Sequence, residues 1–163
     1  MNEKPPPLLG NGRLLEYAVV DESVTYSGHS WLFVGDPTSG LKELGPVPCL
    51  AITKDLKTGE IALLHCDAEW DLLGTGGGYS SVEKAKASAE RAYRDITSRW
   101  VDAKITEEEA LKYRDQVCAD DRCSFCGRIP PDCDFMIKHN NARICDSCIE
   151  ESYKMLLEHR AKK

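Results

Sequence analysis

The sequence predicts an α+β fold, in which an N-terminal antiparallel sheet with one main helix is followed by a small cysteine-rich module. Three observations predict it. Short apolar runs separated by turn-forming residues occupy the first half of the chain, helical periodicity follows them, and four cysteines in two close pairs lie near the C-terminus. Apolar and charged contents of 42% and 29% are close to globular averages, so a packed core is expected.

Several segments have the composition of strands, because they are short, rich in apolar or β-branched residues and bounded by turn formers. They are Leu14–Val20, Trp31–Val34, Cys49–Thr53, Ile61–Cys66 and Trp70–Leu73. Lys54–Gly59 lies between two of them and is predicted to form a hairpin turn. Since sequential strands with short connections usually pair with one another, the sheet is predicted to be an antiparallel meander.

Two capping boxes predict the starts of two helices, because a Ser or Thr followed three residues later by Glu satisfies free N–H groups at a helix start. Ser80 and Glu83 predict a helix from about Ser81 to Ser98, whose small and apolar residues lie on one side. Thr106 and Glu109 predict a second, shorter helix.

These features also predict the domain organisation. Residues 1–11, which are marked by Pro and Gly, are predicted to be a flexible arm. Residues 12–105 are predicted to form an α+β domain of unknown role, and residues 106–117 a linking helix. Residues 118–163 are predicted to form the cysteine-rich module.

The four cysteines near the C-terminus have the spacing of a zinc site. Cys123 and Cys126 form one C-x2-C pair, and Cys145 and Cys148 form another after eighteen residues. Four thiolates at this spacing suit a tetrahedral zinc ion and leave no position for a reactive water, so we expect one structural zinc per chain. A redox dithiol at either pair is the main alternative.

Disulfides and iron–sulfur clusters fit the pattern less well. Disulfides need an oxidising compartment, and Met1–Pro7 shows no basic segment followed by an apolar one. We therefore expect a cytoplasmic chain with reduced thiols. Iron–sulfur ligation is disfavoured because its usual clustered cysteine spacing is absent.

The segment from Cys123 to Glu150 resembles the zinc-binding domain of the ClpX unfoldases. The resemblance is carried by the sequence CSFCG, the apolar pair Met136-Ile137, the second knuckle Ile144–Glu150 and the eighteen-residue spacer. It implies a small treble-clef-like unit with the four cysteines as ligands. It also implies a unit that dimerises and handles adaptors or unfolded substrates.

The chain departs from the ClpX pattern in two ways. Lys138–Asn141 stands where the family has a Gly-Pro turn, although Asn tolerates the left-handed conformation that a turn needs. The sequence contains no G-x-x-x-x-G-K-[ST] motif to hold nucleotide phosphates, so we expect no ATP-driven unfolding by this polypeptide alone.

A partner-binding surface is predicted on the zinc module, because so short a segment has little interior in which to bury apolar side chains. Apolar residues recur at helical spacing from Ile149 on a helix predicted over about Asp146 to His159. The residues predicted to contact a second copy of the chain or another protein are Met136, Ile137, Tyr153, Met155 and Leu156. The alternative is that the helical stripe covers the zinc knuckles.

The formal net charge of −6 lies in the first part of the chain. Residues 1–117 contain 13 Lys and Arg against 19 Asp and Glu, whereas residues 118–163 contain 8 of each. Four thiolates with one zinc take the second part to about −2. Since neither part matches a phosphate backbone, nucleic-acid binding is disfavoured. No run of eighteen apolar residues occurs, so no membrane span is expected.

The N-terminal domain offers two weak candidates for chemistry. Gly74–Gly78 resembles part of a phosphate-binding loop, but it lacks a basic residue and the third glycine, so a flexible strand-to-helix turn is favoured. His65 and Cys66 suggest a dyad or, with Cys49, a second metal site. Neighbours on a strand point to opposite faces, which favours a surface imidazole and a buried thiol.

Three other residues with potential metal-binding side chains are not expected to be zinc ligands. Cys118 and Cys133 fall outside the ligand spacing and are interpreted as ordinary thiols. His139 lies in the spacer and could compete as a ligand, but four thiolates suffice.

The leading hypothesis is a non-enzymatic, zinc-binding interaction protein. The alternatives are a small-molecule-binding protein or enzyme with its site in the N-terminal domain, and a nucleic-acid-binding zinc protein.

Overall fold

The computed structural model describes residues 4–36, 38 and 40–162. The strands in chain order are β1 (Leu8–Leu9), β2 (Gly12–Val19), β3 (Thr25–Tyr26), β4 (Phe33–Asp36), β5 (Gly40–Glu43), β6 (Cys49–Asp55), β7 (Ile61–Cys66), β8 (Leu72–Tyr79), β9 (Tyr93–Arg94), β10 (Val101–Asp102), β11 (Met136–His139) and β12 (Ala142–Cys145). The helices are α1 (Val82–Ala92), α2 (Glu107–Val117) and α3 (Asp146–Ala161). Short 3-10 turns lie at Ile96–Arg99, Ala119–Asp121 and Pro130–Asp132.

The chain divides into two compact units, Met1–Ala110 and Leu111–Lys163. The division falls inside α2, the helix predicted as a linker.

The predicted capping box begins α2. The Thr106 N–H donates to a Glu109 carboxylate oxygen across 2.8 Å, and the Glu109 N–H donates to Thr106 Oγ1 across 3.2 Å. Within residues 4–36, 38 and 40–162, none of the helices combines the length and apolarity needed to cross a bilayer.

The N-terminal unit is built on one antiparallel sheet, as predicted. Its strand order is β1-β2-β6-β7-β8, and β10 also pairs with β2. The meander is continuous from β6 to β8. Between β2 and β6 the chain leaves the sheet to form β3, which pairs with β9, and the separate hairpin β4–β5.

The centre of the sheet is covered on both faces, which explains why β6 is buried along most of its length, whereas β8 at the edge is largely exposed. On one face, Ala85 and Ala89 of α1 pack with Leu50 and Ile52. The small alanine side chains let the helix lie close to the strands. On the other face, Cys49 and its neighbours pack in a second cluster with Leu9, Leu14, Ala51, Leu64, Cys66, Trp70 and Ala103.

The predicted hairpin between β6 and β7 is confirmed. The Asp55 carboxylate accepts hydrogen bonds from the backbone N–H groups of Lys57 and Thr58, across 2.8 and 2.7 Å. Gly59 takes φ 75, a left-handed conformation that favours glycine. Turn chemistry and strand pairing therefore agree here.

The helix α1 is shorter than the predicted span from Ser81 to Ser98. Its N-cap is Ser81, whose hydroxyl accepts from Lys84 N, and not Ser80. It ends at Ala92 because Tyr93 leaves the helix to pair with Tyr26 and buries its ring fully. Tertiary packing of one aromatic side chain thus outweighs helical periodicity.

The prediction of a flexible turn at Gly74–Gly78 is wrong, because these residues belong to β8. A Cβ on Gly74 would stand 2.6 Å from Leu32, whose side chain crosses the strand there. Gly78, at φ 78, lies where the pairing with β7 shifts register. The glycines therefore serve close packing and a bulge within a strand.

Other predicted edges differ by a few residues. Leu8 and Leu9, expected in a flexible arm, form β1 and pair with Arg13 and Gly12. The strand predicted from Trp31 begins at Phe33 in β4, since Trp31 has a positive φ of 56. The strand predicted from Trp70 begins two residues later, in β8.

The unit Leu111–Lys163 contains the hairpin β11–β12 followed directly by α3. His139 pairs with Ala142, so Asn140 and Asn141 form a two-residue turn. Asn140 takes φ 50, the left-handed conformation expected for this segment. α3 begins at Asp146 as predicted and extends to Ala161.

Candidate metal centre

The first pair of cysteines lies on a short knuckle before the hairpin. The Cys123 N–H donates to the Arg128 carbonyl across 2.7 Å, and the Gly127 N–H donates to the Cys123 carbonyl across 2.9 Å. Gly127 has φ 78, so the residue after the second cysteine needs the freedom of glycine. The knuckle turns the chain tightly enough for Cys123 and Cys126 to face one point.

The second pair joins the hairpin to the helix. Cys145 is the last residue of β12 and the N-cap of α3, and Cys148 lies in the first turn of α3. The Ser124 N–H donates to the Arg143 carbonyl across 2.8 Å, and the Arg143 N–H donates to Ser124 Oγ across 3.0 Å. These two bonds hold the knuckle against β12.

The four sulfur atoms form a compact group, with every Sγ within 4.8 Å of the others. Cys126 Sγ and Cys145 Sγ are 3.6 Å apart. A tetrahedral zinc with Zn–S bonds of about 2.3 Å separates its sulfurs by about 3.8 Å. Cys123, Cys145 and Cys148 are buried and Cys126 is exposed, so the donor set fits zinc at the edge of the module.

Backbone hydrogen bonds prepare Cys123 for ionisation. Burial raises the pKa of this thiol, but N–H groups of Cys126, Cys145 and Phe125 donate to its sulfur and together lower the pKa to about 6. The Cys145 N–H lies 3.4 Å from Cys123 Sγ. Donors aimed at sulfur stabilise a thiolate, the form that binds metal.

The crowding of four thiols opposes their joint ionisation. The pKa of Cys148 is raised above its usual range by its hydrogen bond to Cys126 and by burial. A divalent cation relieves this repulsion, and the N-terminal end of α3 adds a favourable dipole beside the sulfurs. With four sulfur ligands the centre is a structural one.

The fold and the donor set define a small treble-clef-like module, in which a knuckle and the start of a helix hold one structural zinc ion. Residues 121–158 match the family model described as the ClpX C4-type zinc finger. The match covers the zinc module and does not extend into Met1–Ala110. No curated protein and no solved structure matches the chain.

Cys133 lies close to the metal site. Its thiol, Cys145 and Asp146 offer ligand atoms within 4.8 Å of one another. However, Cys133 Sγ donates to the Ile129 carbonyl across 3.3 Å, and burial raises its pKa to about 11. A thiol that stays protonated and donates its proton to a carbonyl is a poor competitor for zinc.

His139 is exposed at the end of β11, outside the group of four sulfurs.

The predicted partner-binding residues fall into two environments. Ile137 on β11 is exposed, as are Tyr153, Met155 and Leu156 on α3. Met136 is half-buried against the cysteine cluster and so supports the metal site as well. Ile149 is half-buried in the first turn of α3, but the following turns of the helix are exposed, so the stripe does not cover the zinc knuckles.

Two exposed aromatic residues of this module were missed by the sequence analysis. Phe125 lies between the first two cysteines and is 68% exposed, and Phe135 precedes β11 and is 60% exposed. The sequence position of Phe125 could have indicated its exposure, because a side chain between the two cysteines of a zinc knuckle has little interior in which to be buried.

The prediction of a surface imidazole at His65 is wrong, since His65 is buried together with Cys66. Strand alternation is obeyed, but each face of the sheet is covered by other residues. Cys66 lies opposite Cys49 in the β6–β7 pairing. Burial raises the pKa of Cys66 to about 12, so this thiol is protonated at neutral pH and unsuited to nucleophilic attack.

Proposed function

We propose that the protein is a non-enzymatic, cytoplasmic interaction protein whose zinc module docks a second protein chain, either another copy of itself or a separate partner. The observation that carries the proposal is the set of large apolar side chains that the module leaves exposed. These are Phe125, Phe135, Ile137, Tyr153, Met155, Leu156 and Leu157.

The module has little interior in which to place them. Among residues 118–162, the buried apolar positions are Cys123, Ile129, Cys145 and Cys148. An interior made largely of ligand sulfur depends on the metal for its stability. Exposed apolar side chains concentrated on so small a unit are typical of a protein-binding surface.

Helical geometry indicates which residues of α3 lie on one face and can contact the partner together. Successive helix residues are separated by about 100°, so Tyr153 and Leu156 share a face, whereas Met155 lies about 200° around from Tyr153. On the hairpin, Ile137 is more exposed than Met136. The likeness of residues 121–158 to ClpX-type zinc domains, which are known for protein interactions, supports a protein-binding role for the module.

The test is sedimentation at micromolar concentration, together with capture of ClpX-type adaptors, for wild type and variants. Ile137→Asp and Tyr153→Asp should weaken association by roughly 2 kcal/mol or more, because interface energy concentrates in a few apolar or aromatic anchors. Zinc content should be unchanged in both. Lys154→Gln is the matched control, since it changes the net charge as Tyr153→Asp does without removing an apolar side chain.

Two outcomes would count against the proposal. One is a wild-type protein that stays monomeric and captures no protein. The other is association that survives both aspartate substitutions. Either result would leave the resemblance to ClpX as one of fold alone.

A further inference from the structure

The N-terminal unit contains a pocket. It has a volume of about 190 Å³ and lies between α1, the glycine-rich strand β8 and residues 30–32. Its apolar walls include Leu32 and Leu63. A Cβ on Gly76 would stand 3.1 Å from the Tyr79 hydroxyl, so glycine at this position keeps the pocket open.

One side chain that lines the pocket is a buried polar group with no hydrogen-bond partner among the described residues. His65 is 4% exposed, and among the described residues neither of its ring nitrogens has a hydrogen-bond partner. Buried polar atoms are nearly always paired, so such an imidazole needs a ligand or an ordered water. Burial lowers the pKa of His65 to about 4, so the neutral ring offers one donor and one acceptor.

The outer part of the pocket carries hydrogen-bond donors. Tyr79 Oη donates to Ser88 Oγ across 3.0 Å, and Arg91 Nη2 donates to the same oxygen across 3.2 Å. Because Ser88 Oγ already accepts twice, its own proton is free to donate. Arg91 is exposed, and within the described part of the chain no carboxylate pairs with it.

We propose that this pocket binds a small carboxylic acid that carries a second polar group, such as a hydroxyl, at its opposite end. The carboxylate lies at the mouth on Arg91 and Ser88, the apolar body lies between Leu32 and Leu63, and the second polar group reaches His65. Arginine matches carboxylate geometry well, which favours an acid over a neutral ligand.

The volume limits the ligand to about one ring. An apolar cavity of roughly 150 Å³ accommodates benzene, so a cavity slightly larger than this has room for one substituted ring and not for a nucleotide. The experiment therefore uses three probes of this size: 4-hydroxybenzoate, benzoate and the neutral 4-hydroxybenzyl alcohol. Each is titrated into the full chain while amide and imidazole resonances are followed by NMR.

We expect 4-hydroxybenzoate to bind wild type at least fivefold more tightly than either other probe, with shifts at Gly76, Ser88 and the His65 ring nitrogens. Arg91→Gln should weaken binding of both acids about tenfold. Arg94→Gln, an exposed arginine outside the pocket, is the matched control. His65→Phe should remove the preference for the hydroxylated acid.

If His65→Phe does not fold, the imidazole resonance shifts of the wild type show whether the hydroxyl group of the ligand contacts His65. Three outcomes overturn the proposal: no probe shifts the pocket resonances, the neutral alcohol binds as tightly as the acid, or the His65 nitrogens are unmoved by a bound acid. The last result would mean that an ordered water satisfies the imidazole.

Discussion

The backbone N–H of Cys145 donates to Cys123 Sγ across 3.4 Å and joins the two cysteine pairs of the zinc module. The bond places the start of α3 beside the knuckle. It also gives the first ligand a donor that favours its thiolate form. The metal site and the fold of the module are therefore one structure, because the same residues end a strand, begin a helix and bind zinc.

Replacing Cys145 by Ser should unfold the zinc module and leave the N-terminal sheet intact. The free energy of metal binding, on the order of 10 kcal/mol, supplies most of the folding free energy of such a unit. Amide spectra should lose the dispersed signals of residues 121–158 and keep those of β6 and β7. Cys118→Ser is the control and should keep both the zinc and the dispersed signals.

The turn at Asn140 should be sensitive to the shape of the replacement. Asn140→Gly should preserve or slightly strengthen zinc binding, because glycine adopts a positive φ without steric cost. Asn140→Val should weaken it by roughly 1–2 kcal/mol, since a β-branched residue is strained at φ 50. Competition with a chelating dye measures both. Equal zinc affinities for the two variants would contradict the assigned turn.

Acid should destabilise the N-terminal unit through His65. Its pKa is about 4 when folded and about 6.5 when unfolded, so the unfolded state binds more protons between these values. Stability is full above pH 6.5 and falls as the pH drops toward 4. The loss from pH 8 to pH 5.5 should be roughly 1 to 1.5 kcal/mol.

Urea unfolding of wild type and His65→Phe at the two pH values measures this contribution. The difference between the two proteins isolates it from any acid release of zinc. A wild type that loses no more stability than His65→Phe would show that the imidazole is not held neutral by burial.

Much of the structure follows from local sequence signals. The cysteine spacing predicts the ligands, the box at Thr106 and Glu109 predicts the start of α2, and the segment before Gly59 predicts the hairpin. Each of these features depends on interactions among residues close together in sequence, or on the coordination geometry of one metal ion. Such features need no knowledge of the tertiary fold.

The features that sequence reasoning missed depend on distant partners. The burial of His65 depends on what covers each face of β7, which alternation alone does not specify. The end of α1 at Ala92 depends on where the ring of Tyr93 packs. Gly74 belongs to a strand because it pairs with His65 of β7, although glycine itself has low strand propensity. Leu32 lies where a Cβ on Gly74 would stand, which explains why the position is a glycine.

The absence of a nucleotide-binding motif and the four-sulfur donor set predict no ATP hydrolysis and no zinc-dependent hydrolysis. Purified protein should show no turnover above a buffer control with ATP or activated esters. Turnover that disappears on Gly76→Ala or His65→Phe would contradict this expectation and would place chemistry in the N-terminal pocket.

Zinc stoichiometry tests the central claim most directly. Protein purified without chelator should contain one zinc per chain by elemental analysis, with Cys123, Cys126, Cys145 and Cys148 protected from thiol-modifying reagents until the metal is removed. The four sulfurs lie within 4.8 Å of one another and suit one tetrahedral ion. Protein that contains no zinc, or whose four thiols are joined as disulfides, would contradict the account.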